Sequence, residues 1–181
     1  PASLKMMPPR YQEIKASAIP EVTEEDGARV RIVCGEYAGQ RGPVEGVAAD
    51  PVYLDVSVPA GEKKIISVAA DHHALAYVFA GAGRFCNAPA PLAVPTEGEG
   101  WHNATPPTQA DNCTLVLFGK GDQIAVQAGD EGVRFLLVAG RPLKEPVAWY
   151  GPIVMNTQKE LQQAFQDLQD GTFLQGGLHI R

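Results

Sequence analysis

Histidine is scarce in this chain, with four among 181 positions, at 72, 73, 102 and 179. Any metal-centred chemistry must pass through them, since neutral imidazole is the commonest protein ligand for transition metals. Asp71-His72-His73 sets a carboxylate beside two imidazoles. In a turn the three could offer oxygen and nitrogen ligands together; on a strand they could not, because adjacent side chains point to opposite faces. His102 follows Trp101 in a proline-rich stretch and could join only by folding back. The triplet is read first as a polar turn leading into a strand, with Asp71, His72, His73 and His102 as the candidate ligands of the competing metal reading. Of the adjacent pair, His73 borders the apolar run from Leu75 to Phe79 and is expected on the barrel-interior side.

Nucleophilic and phosphate chemistry have less support. No G-x-S-x-G elbow surrounds Ser3, Ser17, Ser57 or Ser67. Cys34 ends an apolar stretch and reads as a small buried hydrophobe, since an activated thiolate needs a neighbouring cation such as Arg41. Gly81-x-Gly83 and Gly119-x-Gly121 join strand patterns, whereas a phosphate-binding loop opens a helix. No catalytic residue is assigned.

The elements that must position these groups are mostly strands. Leu54, Val56 and Val58 alternate with Tyr53, Asp55 and Ser57, and Ile124, Val126 and Ala128 alternate with Gln123, Ala125 and Gln127, the period-two pattern of half-buried strands. Continuous apolar runs at Leu75 to Phe79, Leu115 to Phe118 and Phe135 to Ala139 predict more deeply buried strands. Turns are expected at Pro59-Ala60-Gly61, Gly81-Ala82-Gly83, Gly119 to Asp122 and Gly129 to Gly132, so that consecutive hairpins form. Tyr77 and Phe118 are the aromatic residues expected to line a pocket in such a barrel. Residues 87–112, with five prolines, predict a long loop.

One helix is predicted over 157–171. Thr157 and Glu160 have capping-box spacing, Leu161, Ala164, Phe165 and Leu168 recur at i, i+3, i+4 and i+7, and Gly171 supplies a stop. Its apolar stripe, Leu161, Phe165 and Leu168, is expected to dock on the barrel. Residues 1–20, with Leu4, Met6 and Met7 ahead of Pro8-Pro9, read as a strap across an interface.

Composition narrows the function classes. Fifteen Lys and Arg against 21 Asp and Glu, a net charge of -6, provide no basic footprint for nucleic acid or anionic lipid. A hydrophobic content of 45% suits an ordinary folded domain. No run approaches the roughly 18 apolar residues of a membrane span. Three widely spaced cysteines without a C-x-x-C pair fit a reducing cytoplasm better than a disulfide framework or zinc knuckle.

The segments Met6-Met7-Pro8-Pro9-Arg10-Tyr11-Gln12, Gly35-Glu36-Tyr37-Ala38-Gly39 and Gly140-Arg141-Pro142-Leu143-Lys144-Glu145-Pro146-Val147-Ala148-Trp149-Tyr150-Gly151-Pro152-Ile153-Val154-Met155-Asn156-Thr157 strongly resemble the pirin family. That resemblance covers the second of the family's two tandem cupin barrels and its C-terminal helix. It implies an all-β, cupin-like double-stranded β-helix, a jelly-roll barrel with one C-terminal α-helix, occupying 1–181 as a single domain.

It also implies an iron site in an N-terminal cupin domain that these residues do not include, so no cofactor is assigned to this chain. Against the general cupin pattern G-x5-P-x-G-x2-H-x3-N, Gly121 and Gly129 match, while Gln127, Gly132 and Leu136 replace the proline, the histidine ligand and the asparagine. No Glu lies between His73 and Gly83. The family is linked with quercetin 2,3-dioxygenase activity and with transcriptional co-regulation. The resemblance therefore implies a C-terminal cupin with a structural or partner-binding role, its expected partners being the N-terminal cupin of its own parent protein and other proteins. Two alternatives stand beside this reading, a metal-dependent dioxygenase acting on flavonol-like substrates and a small-ligand binding barrel. The opening proline and the single matched barrel lead us to expect the C-terminal part of a longer protein.

Overall fold

Alternating apolar side chains make strands, and the way those strands share neighbours makes a barrel. In a computed structural model, residues 1–8, 11–89 and 108–173 are described; most of the predicted 87–112 loop, including His102, lies outside them, as does His179. The strands are β1 (Glu21–Thr23), β2 (Arg29–Cys34), β3 (Glu36–Tyr37), β4 (Gln40–Arg41), β5 (Val52–Val58), β6 (Lys63–Ser67), β7 (His73–Phe85), β8 (Thr114–Leu117), β9 (Gln123–Gly140), β10 (Ala148–Tyr150) and β11 (Ile153–Met155). One helix, α1, spans Gln158–Gln169. Two compact units result, one of Ile14–Pro142 and one of Pro1–Glu13 with the residues from Leu143 onward.

The larger unit is an antiparallel jelly roll. Its seven-stranded sheet runs β1-β2-β5-β9-β7-β8, with β6 also paired to β9. Strand β9 does two jobs: residues 133–139 pair with β5, and residues 123–127 pair with β6. Strand β7 accompanies it along both halves. The inward residues line up in transverse rows, Ile32, Leu54, Leu137, Ala76 and Val116 in one, Val30, Val56, Phe135 and Val78 in the next. Phe85, from the far half of β7, meets Phe135 edge to face at 5.0 Å between ring centroids, so both halves share one apolar core. Removing these side chains from water supplies the main driving force for the fold.

Two expectations are corrected here. Gly81-Ala82-Gly83 and Gly129 to Gly132 do not end strands; both lie inside β7 and β9, where the long strands bend past each other. A Cβ on Gly81, which sits at φ +66°, would stand 2.1 Å from the Gly132 carbonyl oxygen. Glycine is present there for close backbone approach, and the same residue type had suggested a turn because both uses exploit positive φ. The apolar runs are not buried on both sides either. Ala76, Val78, Val116, Phe135 and Leu137 are buried, but Tyr77, Leu115 and Leu117 are exposed; these are one-sided strands whose outer face is also apolar.

The smaller unit is held by local chemistry. The Thr157 hydroxyl accepts the Glu160 N–H at 3.2 Å while the Glu160 carboxylate accepts the Thr157 N–H at 2.7 Å, the predicted capping box. Leu161 and Ala164 are buried with Ala148, Ile153 and Met155 of the β10–β11 hairpin. Phe165 meets Tyr150 at 5.6 Å between ring centroids. The stripe expected on the barrel thus finds its cover inside its own unit, and Leu168, at the far end, is 50% exposed. The 1–20 segment has two short 3-10 turns, Ala2–Leu4 and Ala16–Ala18, and leaves Leu4, Met6 and Met7 exposed.

Gly81→Ala is expected to cost more than about 3 kcal/mol in denaturant unfolding, because backbone strain adds to a backbone clash. Gly39→Ala is the control: it has φ +76° but nothing within 4 Å of its Cβ position, so about 1 kcal/mol is expected. Equal losses would show that conformation alone, and not the strand crossing, requires Gly81.

Candidate functional site

The turn that feeds β7 places its residues by parity. His72, Ala74, Ala76 and Val78 share one face and His73, Leu75 and Tyr77 the other, as strand alternation requires. His72 is therefore the inward member of the pair, its side chain 4% exposed, while His73 is exposed. That corrects the expectation for His73, and the period-two signal that reveals it was present in the sequence. The His72 N–H donates to the Ala69 carbonyl at 2.9 Å. Its Nε2 lies 3.9 Å from a carboxylate oxygen of Asp50 and 3.9 Å from one of Asp71. Its Nδ1 is buried with no hydrogen-bond partner.

The triplet does not converge: His73 is turned outward, away from His72, and the two acids that flank His72 Nε2 are engaged by Arg141, at 3.2 Å to Asp71 and 3.8 Å to Asp50. Among the described residues no group of three or more His, Cys, Asp and Glu is arranged to hold a metal ion. Cys34 donates to the Val44 carbonyl at 3.3 Å, and burial pushes its thiol above the usual range, the opposite of an activated nucleophile.

Beside His72 opens a cavity of about 240 Å³. Its apolar wall includes Val68, Ala74, Phe85, Val116, Phe118 and Ile124, and Cys86 and Lys120 also border it. Phe118 was expected to line a pocket and stands in this wall, its N–H donating to the Ala74 carbonyl at 3.1 Å. Tyr77 does not reach it. It belongs to the outer face, paired across the sheet with Leu115 and Leu136, because its neighbours Ala76 and Val78 occupy the inward positions.

The outer face itself is unusual. Tyr53, Val138, Leu75 and Leu117 form one row and Leu136, Tyr77 and Leu115 the next. Leu115 is 54% exposed and Leu117 73%. Charge borders the rows on one side: Arg134 forms a two-pronged pair with Asp55 at 2.9 and 2.7 Å and lies 5.0 Å over the Phe79 ring.

One further polar cluster was not anticipated. Lys64 occupies an inward position of β6 with its side chain 7% exposed, and is matched by Glu24 and by Asp26 at 3.2 Å. The Tyr37 hydroxyl donates to Glu24. Hydrogen bonds from Lys64 and Tyr37 hold the Glu24 carboxyl below its usual range, the Ala28 N–H and Lys64 do the same for Asp26, and burial with the Glu24 contact pushes Tyr37 up to about 12. Burial opposes the charge on Lys64, yet its acidic partners carry its pKa above the ordinary value. A fully partnered ammonium of this kind is structural, not a general base.

Comparison with known proteins agrees with the architecture. Residues 53–174 match the family described as the Pirin C-terminal cupin domain. A pirin-like protein of Caulobacter vibrioides is 36% identical over 174 residues, 96% of this chain and 55% of the relative. One from Solanum lycopersicum is 34% identical, covering 92% of this chain and 51% of its own length. Among solved structures, a quercetin 2,3-dioxygenase from Acinetobacter baumannii superposes with a TM-score of 0.75 at 29% identity, over 96% of this chain and 54% of that one. The chain thus spans about half the length of these relatives. Among the described residues no helix is long and apolar enough to cross a membrane.

Lys64→Ala is expected to lower stability at pH 7 by about 2 kcal/mol, less than for a fully dry ion pair because both acids keep some solvent. The depressed carboxyls contribute stability above the ordinary carboxylate values and lose it as pH falls through their folded values. The variant should therefore converge on the wild type in acid. Denaturant unfolding at pH 7 and pH 3 checks this, and an unchanged gap at the lower pH would refute it.

Proposed function

This chain belongs to the pirin family, and from that premise we propose that it is the partner-docking C-terminal cupin of a two-cupin protein whose N-terminal cupin binds iron. The observation that carries the reading is the outer sheet face. Rows of Leu, Val and Tyr bordered by the Arg134–Asp55 pair have the apolar centre and charged rim of a protein interface. Charged residues usually blunt such a face when it meets only water.

The Acinetobacter relative is named for quercetin 2,3-dioxygenation, a reaction that needs a metal centre with open coordination positions for oxygen and substrate. The described residues offer no ligand set of that kind. In this reading, oxygenase chemistry on a flavonol-like substrate, or the metal-dependent co-regulation of transcription, belongs to the N-terminal cupin, with this barrel supporting it and widening its protein-binding surface.

Light scattering during size-exclusion chromatography tests the face. The purified chain at high micromolar concentration should self-associate or bind a separately produced N-terminal cupin half, and Leu115→Lys with Leu117→Lys should abolish both. A wild-type chain that stays monomeric and ignores that half would overturn the reading. Stoichiometric iron retained by this chain after dialysis would overturn the assignment of the metal to the other cupin.

A further inference from the structure

We propose that the free edge of β8 pairs with the β8 edge of a second copy of this chain, antiparallel across a two-fold axis, so that two barrels share one continuous sheet. The inference goes beyond the docking reading and does not need it, because the contact is made by backbone at the rim of the sheet and leaves the outer face uncovered. Three observations carry it.

The first is an open row of hydrogen-bonding groups. Among the described residues β8 pairs only with β7. The Phe118 N–H donates to the Ala74 carbonyl at 3.1 Å, and ladder bonds alternate along an antiparallel pair. Val116 therefore turns its N–H and carbonyl toward Ala76, and Leu115 and Leu117 turn theirs away from β7. What fits those groups is the backbone of another extended strand.

The second is that this edge lacks the guards the others carry. Among the described residues the remaining open edges of the large sheet are β1 and β6. Strand β1 has only three residues, with Pro20 before it and Glu21 within it, and β6 opens on Lys63 and Lys64. Short length, proline and lysine all keep an edge from pairing. Strand β8 contains no charge and no proline, its register with β7 is unbroken, and its outward side chains Leu115 and Leu117 are 54% and 73% exposed.

The third is self-complementarity. Pairing centred on Val116 sets Leu115 of each copy against Leu117 of the other. These residues carry the free backbone groups, so each pair exchanges both of its N–H···O bonds, and outward side chains meet outward ones. The row Leu136-Tyr77-Leu115 then continues into Leu117 and Leu75 of the second copy, joining the two apolar faces. The same register carries Lys120, which is exposed, toward Asp111 of the second copy, so the strand ends are complementary in charge. A two-fold contact of this kind closes at two copies.

The test uses the chain itself, with mass read by light scattering and amide hydrogen exchange read by NMR at low and high micromolar concentration. A dimer should form, and in it the Leu115 and Leu117 amides should exchange at least about tenfold more slowly than in the monomer. Leu117→Pro removes an edge donor without removing a bond to β7. It should weaken the dimer at least about tenfold beyond Leu117→Ala, which shortens the same side chain but keeps the N–H. Should the proline variant not fold, exchange in the wild type still decides. A dimer whose Leu115 and Leu117 amides exchange as in the monomer would overturn edge pairing and leave the outer face as the contact. A chain that stays monomeric, or protection of these amides that appears only with the N-terminal cupin half, would overturn the second copy as occupant; the docking reading falls only if that half is ignored as well. Growth beyond two copies would overturn the two-fold register.

Discussion

The barrel depends on one close approach. Strands β7 and β9 each serve both halves of the sheet, and they can do so only by bending past one another where Gly81 meets the Gly132 carbonyl. Gly132, itself at φ +80°, would bring a Cβ within 2.8 Å of the Val58 carbonyl oxygen, so the crossing also sets how closely β5 is followed by its turn. With these backbones in contact, Phe85 from the far half of β7 can reach Phe135, and a bent sheet encloses a single core. Side chains at the crossing would prop the strands apart and leave the interior rows exposed to water on one side.

A closed interior explains what became of the chemistry-bearing residues. The strand that delivers His72 inward delivers His73 outward, so adjacent imidazoles cannot converge. Arg141 pairs with both carboxylates that flank His72. What remains is a cavity walled by Val68, Ala74, Phe85, Val116, Phe118 and Ile124 and bordered by His72 and Lys120. Elsewhere the barrel tolerates charge only when it is matched, as with Lys64 between Glu24 and Asp26. Its outer wall breaks that economy of polar surface. The rows around Tyr77 and Leu115 extend apolar residues to the side that should face water, and their arrangement follows directly from the pairing of β5, β9, β7 and β8.

Much of this was legible in the residues alone. Period-two alternation located β5 and the first part of β9, an apolar run located the last part of β9, and capping chemistry located α1, because these signals are local and depend on a few neighbours. Even the inward aim of His72 follows from counting back from Ala76. The partnership of Lys64 was not legible: Glu24 and Asp26 lie some forty residues away, and nothing in the local pattern separates an inward lysine from one at an exposed strand end. Apolar runs such as Leu115 to Phe118 suggested burial on both faces because hydrophobicity reports only that a surface avoids water, not which neighbour covers it.

The sequence by itself thus determined that the chain is all-β with one capped helix, that its cupin motifs lack their usual ligands, and that it resembles the second pirin barrel. Only the tertiary structure decided that Gly81 and Gly132 mark a crossing instead of two turns, that the helix stripe is covered by the β10–β11 hairpin, that Phe118 faces a cavity while Tyr77 faces out, and that His72 Nδ1 is left without a partner. The physical reason is common to all four. Each depends on which backbone or side chain stands opposite across the fold, and that neighbour is chosen by long-range strand pairing, which a local run of residues does not encode.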